Sequence, residues 1–210
     1  MEFYHGSSIM GLKELKPNFD TLNTVKSNVV YYTKHKTLAL FYIWNRPYKY
    51  ATFHINNEGI IEYTENFPNQ LYEFYNGVSG CIYVCNNKDN IITKSHVKDV
   101  YISSKPIEVT KTIFVDNVYN EIKKAELKGD VIIKKYDMLT SDEKDKLSKD
   151  TIRSIHMIGL LNPKQNSQIA MAKFIREKFP DEWKIAEKNS NEEIKEMINE
   201  WRKSRGLKPL

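Results

Sequence analysis

All 13 tyrosines of this chain lie between Tyr4 and Tyr136, and the last 74 of its 210 residues contain none. In the first part, short aromatic and β-branched runs alternate with Asn- and Gly-containing turns, a pattern typical of strands. In the second part, apolar residues recur at helical spacing among lysines and glutamates. We therefore predict an α+β fold, with an α+β domain over 1–138 and a helical region over 139–210.

The first region is predicted to contain seven short strands, most of them adjacent along the chain rather than arranged as regular βαβ units. The predicted strands span 2–4, 28–33, 49–55, 60–64, 80–85, 97–103 and 108–115. Of these, 49–55 and 60–64 are expected to form a hairpin. Helices are predicted at 37–44, 69–75 and 116–127, the last of which begins after an Asp116 N-cap.

The second region is predicted to be a set of helices. The first opens at Ser141 and extends towards Leu161, before Asn162-Pro163, and the second covers 165–178. The last begins at Asn191 and carries one apolar face. We expect this region to dock on the first region or on a partner. The alternative is a nucleic-acid-facing role for its basic residues, which are Lys173, Arg176, Lys178, Arg202, Lys203 and Arg205.

Several classes of protein are disfavoured by what the chain lacks. The longest strongly apolar run, 38–44, is far shorter than the roughly 20 residues of a membrane span, and no secretory signal opens the chain. We therefore expect a soluble cytoplasmic protein. There is no GxxxxGK, GxGxxG, HExxH or GxSxG motif. The five histidines show no metal-ligand spacing, so we expect no metal centre.

Cys81 and Cys85 are the two cysteines of the chain. On one strand they would lie on the same face, about 13 Å apart at roughly 3.3 Å per residue, which is too far for a disulfide. We expect them to be small buried residues. The net charge of +5 permits a nucleic-acid partner without requiring one.

Two aromatic segments suggest a ligand site. In the first, Phe3-Tyr4-His5-Gly6-Ser7, a histidine ends a strand and is followed by a glycine, which lets a ligand approach the backbone closely. In the second, Val29 to Thr33 forms a strand that leads into a helix with Leu38, Ala39, Phe41 and Tyr42. Together the two segments could hold a flat ring and a sugar.

In their order and spacing, these segments resemble the motifs of the ADP-ribosyltransferase-like superfamily, of the diphtheria-toxin and poly-ADP-ribose-polymerase type. Tyr4-His5-Gly6-Ser7 matches the first motif of that superfamily, and Tyr31-Tyr32-Thr33 with Ala39 and Tyr42 matches the second. Residues 77–84 and 103–107 also look like uncharacterised bacterial and phage proteins of this fold. The resemblance covers roughly residues 1 to 135 and implies a split β-sheet core, with the helical region as a C-terminal appendage.

The resemblance implies that NAD is the substrate and that a protein or nucleic acid accepts ADP-ribose. His5 would hydrogen-bond the nicotinamide ribose, Gly6 would hold the carboxamide through its backbone, and Tyr31 would stack on the nicotinamide ring. The rest of the implied NAD-binding set is Ser7, Tyr32, Thr33, Ala39 and Tyr42. The alternative interpretation is that His5 ends a strand and Tyr31 belongs to the core.

The family also has a catalytic glutamate on a late strand. In this chain the expected position falls near Val100, and the nearest acid is Asp99. Because side chains alternate across a strand, a shift of one residue decides whether a carboxylate enters the site. The other candidates are Glu62, Glu65, Glu73 and Glu108, of which Glu73 is favoured if 69–75 folds over the site.

Two alternatives to an enzyme remain open. Without the catalytic glutamate, the chain could be a non-catalytic nucleotide-binding or protein-interaction module of the same fold. The mild positive charge also allows a nucleic-acid-binding protein.

Overall fold

The computed structural model describes residues 1–17, 28–50, 52–87, 91–95 and 99–210. The chain divides into two compact units. We call them the sheet unit, residues 1–45 and 51–136, and the helical unit, residues 46–50 and 137–210. The fold is α+β, with mostly antiparallel strands and a series of C-terminal helices.

The strands of the described residues all lie in the sheet unit. They are β1 (Glu2–Ser7), β2 (Glu14–Leu15), β3 (Val30–Thr33), β4 (Phe53–Ile55), β5 (Ile61–Thr64), β6 (Gly80–Asn86), β7 (Thr93–Lys94), β8 (Val100–Ser103), β9 (Ile107–Glu108), β10 (Lys111–Val115) and β11 (Val131–Lys134). They form a six-stranded sheet in the order β10-β6-β1-β3-β8-β7, a three-stranded sheet β11-β5-β4 and a ribbon β2-β9. The β11–β5 pair is parallel, and the other strand pairs are antiparallel.

Three helices lie in the sheet unit and four in the helical unit, within the described ranges. The first three are α1 (Lys36–Leu40), α2 (Gln70–Tyr75) and α3 (Val118–Leu127). The others are α4 (Ser141–Ile158), α5 (Asn166–Lys178), α6 (Pro180–Lys188) and α7 (Asn191–Ser204), and a 3-10 turn spans Tyr136–Met138. Thr140 and Glu143 close a reciprocal capping box at the start of α4.

Several predicted boundaries were wrong. α4 ends at Ile158 rather than near Leu161, because Gly159 takes a left-handed conformation and stops the helix. The N-cap of α3 is Asn117 rather than Asp116, since the Asn117 side chain accepts the hydrogen bond from the Asn120 amide. α6 was not predicted; its first residue is Pro180, which suits a first helical turn.

Three predicted strands also differ from the structure. The predicted strand 108–115 is divided into β9 and β10. Of the predicted strand 49–55, residues 53–55 form β4, residues 49 and 50 belong to the helical unit, and residue 51 lies outside the described residues. The late strand begins at Val100; residues 97 and 98 of its predicted start lie outside the described residues. The predicted hairpin is confirmed as β4 and β5.

The core of the sheet unit is built on β6, which pairs with β1 on one side and β10 on the other. Cys81 and Cys85 are confirmed as buried, unbridged residues of this strand. They face an apolar cluster that includes Phe3, Tyr32 and Tyr83. Leu15 of β2 and Ile107 of β9 belong to the same cluster, so the ribbon covers this face of the sheet.

Candidate functional site

β1 and β3 are neighbouring strands that separate after a single paired position, Tyr4 opposite Thr33. On its other side, β1 pairs with β6 over its whole length, and β3 likewise pairs with β8. Among the described residues, β1 and β3 are therefore each paired on their outer sides but not with each other between residues 5–7 of β1 and residues 30–32 of β3. We call this gap the β1–β3 opening.

The side chain of His5 bridges the β1–β3 opening. Its Nδ1–H donates to the carbonyl oxygen of Tyr31, with 2.8 Å between the nitrogen and the oxygen. Because a carbonyl can only accept, the proton of a neutral His5 ring must lie on Nδ1. Nε2 of that ring is then an acceptor, and the orientation of the imidazole is fixed by a neighbouring strand.

Gly6 allows helix α1 to pack directly on β1. A Cβ at this position would lie 1.9 Å from the carbonyl oxygen of Ala39 and 3.2 Å from the amide nitrogen of Ile43. Ala39 is itself fully buried. Gly6 and Ala39 thus bring the end of α1, and the residues that follow it, against the edge of the β1–β3 opening.

Two aromatic side chains are in contact beside this edge, and a third lies near one of them. Tyr31 is half-buried on β3, and Tyr42, which follows α1, is 38% exposed. Burial, together with the nearby Tyr31 hydroxyl, raises the pKa of Tyr42, so the Tyr42 phenol remains protonated at neutral pH. The ring of Phe53 meets Tyr42 edge-on, 5.7 Å between centroids. We call Tyr31, Tyr42 and Phe53 the aromatic wall.

Register places the aromatic wall and His5 on different faces of the sheet. Tyr4 pairs with Thr33, and side chains alternate along a strand, so Gly6 and Tyr31 share one face. His5 and Tyr32 share the other face, where their ring centroids lie 6.1 Å apart. A single ligand can reach both His5 and Tyr31 only where the two strands separate.

Three other residues of the implied NAD-binding set are buried in the core or form local hydrogen bonds with the backbone. Tyr32 is 2% exposed in the core, and its hydroxyl has no hydrogen-bond partner among the described residues. The Thr33 hydroxyl accepts from the His35 amide, which shapes the turn into α1. The Ser7 hydroxyl accepts from the Ile9 amide. Of the implied set, Gly6, Tyr31 and Tyr42 lie on one side of the sheet, and His5, on the other, contacts the carbonyl oxygen of Tyr31.

Asp99 lies beyond the paired end of β3. It precedes β8 with a left-handed backbone, φ 59°, and its Oδ1 is 3.7 Å from Nε2 of His35. Thr33, the last residue of β3, pairs with both Tyr4 and Val100. Asp99 precedes Val100 and therefore lies beyond this end of β3, on the side away from the β1–β3 opening. Its carboxylate therefore approaches the turn that leads into α1 rather than His5.

The four candidate glutamates occupy other elements. Glu65 is 3% exposed and accepts from the amides of Leu71 and Tyr136, at 3.1 Å and 3.3 Å. Glu73 lies on the exposed side of α2, and Glu108 is exposed on β9 opposite Glu14. Such contacts are typical of structural or solvated carboxylates.

Glu62 lies in a polar cluster on the three-stranded sheet. Its carboxylate accepts from Asn56 Nδ2 at 2.9 Å, and it lies 3.6 Å from Lys134 Nζ and 3.7 Å from His54 Nε2. The Asn56 hydrogen bond and the nearby positive charges lower the pKa of Glu62. This carboxylate therefore stays ionised and joins β4, β5 and β11.

Two further observations bear on partners. Within the described ranges, no three His, Cys, Asp or Glu side chains are grouped so that they could hold a metal ion. In the same part of the chain, none of the helices combines the length and the apolar character that crossing a membrane requires.

Phe53 was not recognised as a site residue from the sequence. Its strand, β4, is only three residues long and was predicted as part of a longer strand, so its alternation gave no usable signal. Comparisons of the chain with protein-family models, with curated proteins and with solved structures found no match.

Proposed function

We propose that the chain is an NAD-binding mono-ADP-ribosyltransferase-like protein of bacterial or phage type, whose sheet unit has the split β-sheet of that superfamily. The observation that carries this proposal is the His5–Tyr31 hydrogen bond across the β1–β3 opening. It joins the two motifs on which the resemblance rests, at the point where β1 and β3 stop pairing.

Each part of nicotinamide riboside has a matching group in the site. The nicotinamide ring is flat and apolar on its faces, and the aromatic wall offers Tyr31 and Tyr42 for stacking. The carboxamide needs a donor and an acceptor, which the Gly6 backbone carries. The ribose hydroxyls need polar partners, and Nε2 of His5 would accept from one of them.

With NAD held in this way, the proposed reaction is transfer of ADP-ribose from NAD to an acceptor. The bond between nicotinamide N1 and ribose C1′ breaks, and neutral nicotinamide leaves with the bonding electron pair. An acceptor nucleophile then forms a bond to C1′ and releases its proton to solvent or to a base. Positive charge develops on the ribose, so orientation of the ring and sugar contributes directly to the rate.

The proposal is tested by isothermal titration with NAD, with nicotinamide release followed in the same samples. Wild type is expected to bind and to release nicotinamide, and His5→Ala to lose both. His54→Ala is the matched control, because His54 is an exposed histidine on β4. Absence of binding heat and of a thermal shift in wild type at saturating NAD would contradict the proposal.

A second candidate is a non-catalytic nucleotide-binding module of the same fold. The placement of Asp99 at the His35 turn favours it, because this leaves the nearest sequence candidate for the carboxylate away from His5. NAD binding that requires His5 but is not followed by nicotinamide release would support the module. Release that Asp99→Asn or Glu73→Gln abolishes would support the transferase and identify its carboxylate.

A further inference from the structure

The two edges of the six-stranded sheet differ in length and in chemistry. One edge is β7, which is two residues long and carries Lys94. The other edge is β10, which among the described residues pairs only with β6. Short strands and lysines are common devices that prevent a sheet edge from pairing with another chain. β7 has both of them, whereas β10 is five residues long and carries its one lysine, Lys111, at its first position.

The middle of β10 is apolar on a face of the sheet that is open at this edge. Phe114 lies opposite Cys81 of β6, which lies opposite Ser7 of β1, so these three side chains share a face. Cys81 is buried there, yet Phe114 is 58% exposed. Thr112, two residues earlier on the same face, is also exposed. β10 therefore presents a phenylalanine to solvent on a strand whose outer edge has no partner strand among the described residues.

Two more apolar side chains lie on this side of the sheet. The Tyr83 hydroxyl donates to the carbonyl oxygen of Ile9 at 2.7 Å. Tyr83 lies opposite Thr112 in the β6–β10 register, so the loop that it holds is on the same face as Phe114. Ile9 and Met10 of this loop are exposed. We call Ile9, Met10 and Phe114 the edge patch.

The charges that flank β10 have opposite signs. Lys111 is the first residue of the strand, Asp116 directly follows its last residue, and both are exposed. An antiparallel copy of the same strand would bring Lys111 of each chain next to Asp116 of the other. A parallel copy would instead place the two lysines side by side, which is destabilising. The edge is therefore electrostatically complementary to itself when the two strands run antiparallel.

Side-chain alternation limits the registers that such a pair can use. With Ile113 opposite its own counterpart, Lys111 lies opposite Val115, and Thr112 lies opposite Phe114. The exposed face is then continuous across the two sheets, because directly opposite residues point to the same side. The two Phe114 residues become diagonal neighbours, roughly 7–8 Å apart and within reach of each other's rings. The two Lys111 residues are separated by about four residues of strand, or roughly 13 Å.

We propose that β10 is an interface for a second copy of this chain, in which the two strands pair antiparallel about Ile113 and the two six-stranded sheets become one. The contact is isologous, so the same edge serves both copies and the assembly closes as a dimer. Main-chain hydrogen bonds join the two strands, and the edge patches lie side by side, which removes Phe114 from water. This dimer does not depend on the proposed function.

The test is the oligomeric state of the full-length protein, measured by sedimentation velocity over a wide range of concentrations. Wild type is expected to form a dimer whose fraction rises with concentration. Phe114→Lys is expected to weaken this dimer more than about tenfold, since it places a charge near the centre of the interface. Leu127→Lys is the matched control, because Leu127 is an exposed apolar residue of α3 outside the edge patch, and this variant should dimerise like wild type.

Exchange of the flanking charges tests the direction of pairing. Lys111→Glu alone brings a second carboxylate to Asp116 of the other copy, and Asp116→Lys alone brings two lysines together. Each single variant is expected to weaken the dimer several-fold. The double variant Lys111→Glu/Asp116→Lys restores opposite charges and is expected to dimerise within about twofold of wild type.

Amide hydrogen exchange locates the contact. In the dimer, exchange should slow at residues 111–115 and stay unchanged at residues 93 and 94 of the opposite edge. A wild type that remains monomeric at every concentration would overturn the proposal. So would a dimer that Phe114→Lys leaves intact, that the double variant fails to restore, or that forms without slower exchange in β10. NAD binding by a monomeric wild type would leave the proposed function standing while the dimer interface fails.

Discussion

The carbonyl oxygen of Ala39 occupies the space in which a side chain on Gly6 would begin, 1.9 Å from the position of its Cβ. The close approach of α1 to β1 therefore requires a residue without a side chain at position 6. The same contact affects both the stability of the fold and the candidate site, because Tyr42 lies two residues after the end of α1, the helix that packs on Gly6.

Gly6→Ala is expected to destabilise the fold by about 3 kcal/mol or more, since the backbone of α1 must move to admit the methyl group. The displaced helix should carry Tyr42 away from Tyr31 and abolish NAD binding. Urea unfolding and isothermal titration measure the two effects.

Gly59→Ala is the matched control for that substitution. Gly59 has φ +83° with no atom within 4 Å of its Cβ position, so this variant carries only backbone strain of about 1–2 kcal/mol. It should bind NAD like wild type. Equal stability losses in the two variants, with binding retained in both, would show that α1 tolerates displacement.

Tyr42→Ala is expected to weaken NAD binding about tenfold, because a stacking or edge contact of an aromatic ring contributes about 0.5–1.5 kcal/mol beyond the area that it buries. Tyr42→Phe should bind within a factor of about two of wild type, since it keeps the ring and loses only the hydroxyl. Isothermal titration at one temperature compares the three proteins. Weak binding by Tyr42→Phe alone would mean that the hydroxyl, rather than the ring, contacts the ligand.

Glu62→Gln is expected to change the pH dependence of stability. The folded-state pKa of Glu62 lies below the ordinary value of 4.5, so its contribution is present above pH 4.5 and is lost as the pH falls through the folded-state pKa. Wild type should therefore exceed the variant in stability at pH 7, and the difference should shrink as the pH falls below 4.5 and through the lowered folded-state pKa.

Urea unfolding at several pH values measures the Glu62 effect, and Glu58→Gln is the control because Glu58 is an exposed carboxylate on the adjoining turn. A stability difference for Glu62→Gln that is the same at pH 7 and at low pH would contradict the interpretation.

Gln70→Ala is expected to cost about 2–4 kcal/mol of stability. Gln70 is fully buried, and its Nε2 donates to the Tyr63 hydroxyl at 2.9 Å and to the Thr52 hydroxyl at 3.1 Å. Truncation leaves buried polar groups without a partner and opens a cavity. Thermal and urea unfolding measure the loss, and Glu73→Gln, exposed on the same helix, should shift stability by less than about 0.5 kcal/mol.

Local sequence patterns were sufficient for the elements that have a clear local signal. The β4–β5 hairpin followed from two runs on either side of an Asn- and Gly-containing turn, and α7 followed from the helical spacing of its apolar residues. The N-cap of α3 was misplaced by one residue, because the neighbouring Asp116 and Asn117 can both cap a helix. The end of α4 was misplaced by a few residues, because Gly159 stops the helix before Asn162-Pro163.

Long-range relationships had no such signal. β11 joins β5 in parallel across an intervening stretch that includes α2, β6 and α3, and nothing in its four residues identifies that partner. In the same way, Tyr50 falls within the predicted strand 49–55 and Tyr48 lies just before it, yet both pack on Phe174 in the helical unit. For the site, the motifs identified His5, Tyr31 and Tyr42, whereas the β1–β3 opening depends on where two strands stop pairing.

The placement of residues 46–50 also sets an order of events during synthesis. Tyr48 leaves the ribosome long before Phe174, its stacking partner. At about 5–20 residues per second, more than a hundred intervening residues correspond to roughly 6–25 s in which the aromatic segment has no helical core to enter. A nascent chain paused before α5 would therefore carry Tyr48 and Tyr50 without the Phe174 ring on which both of them pack.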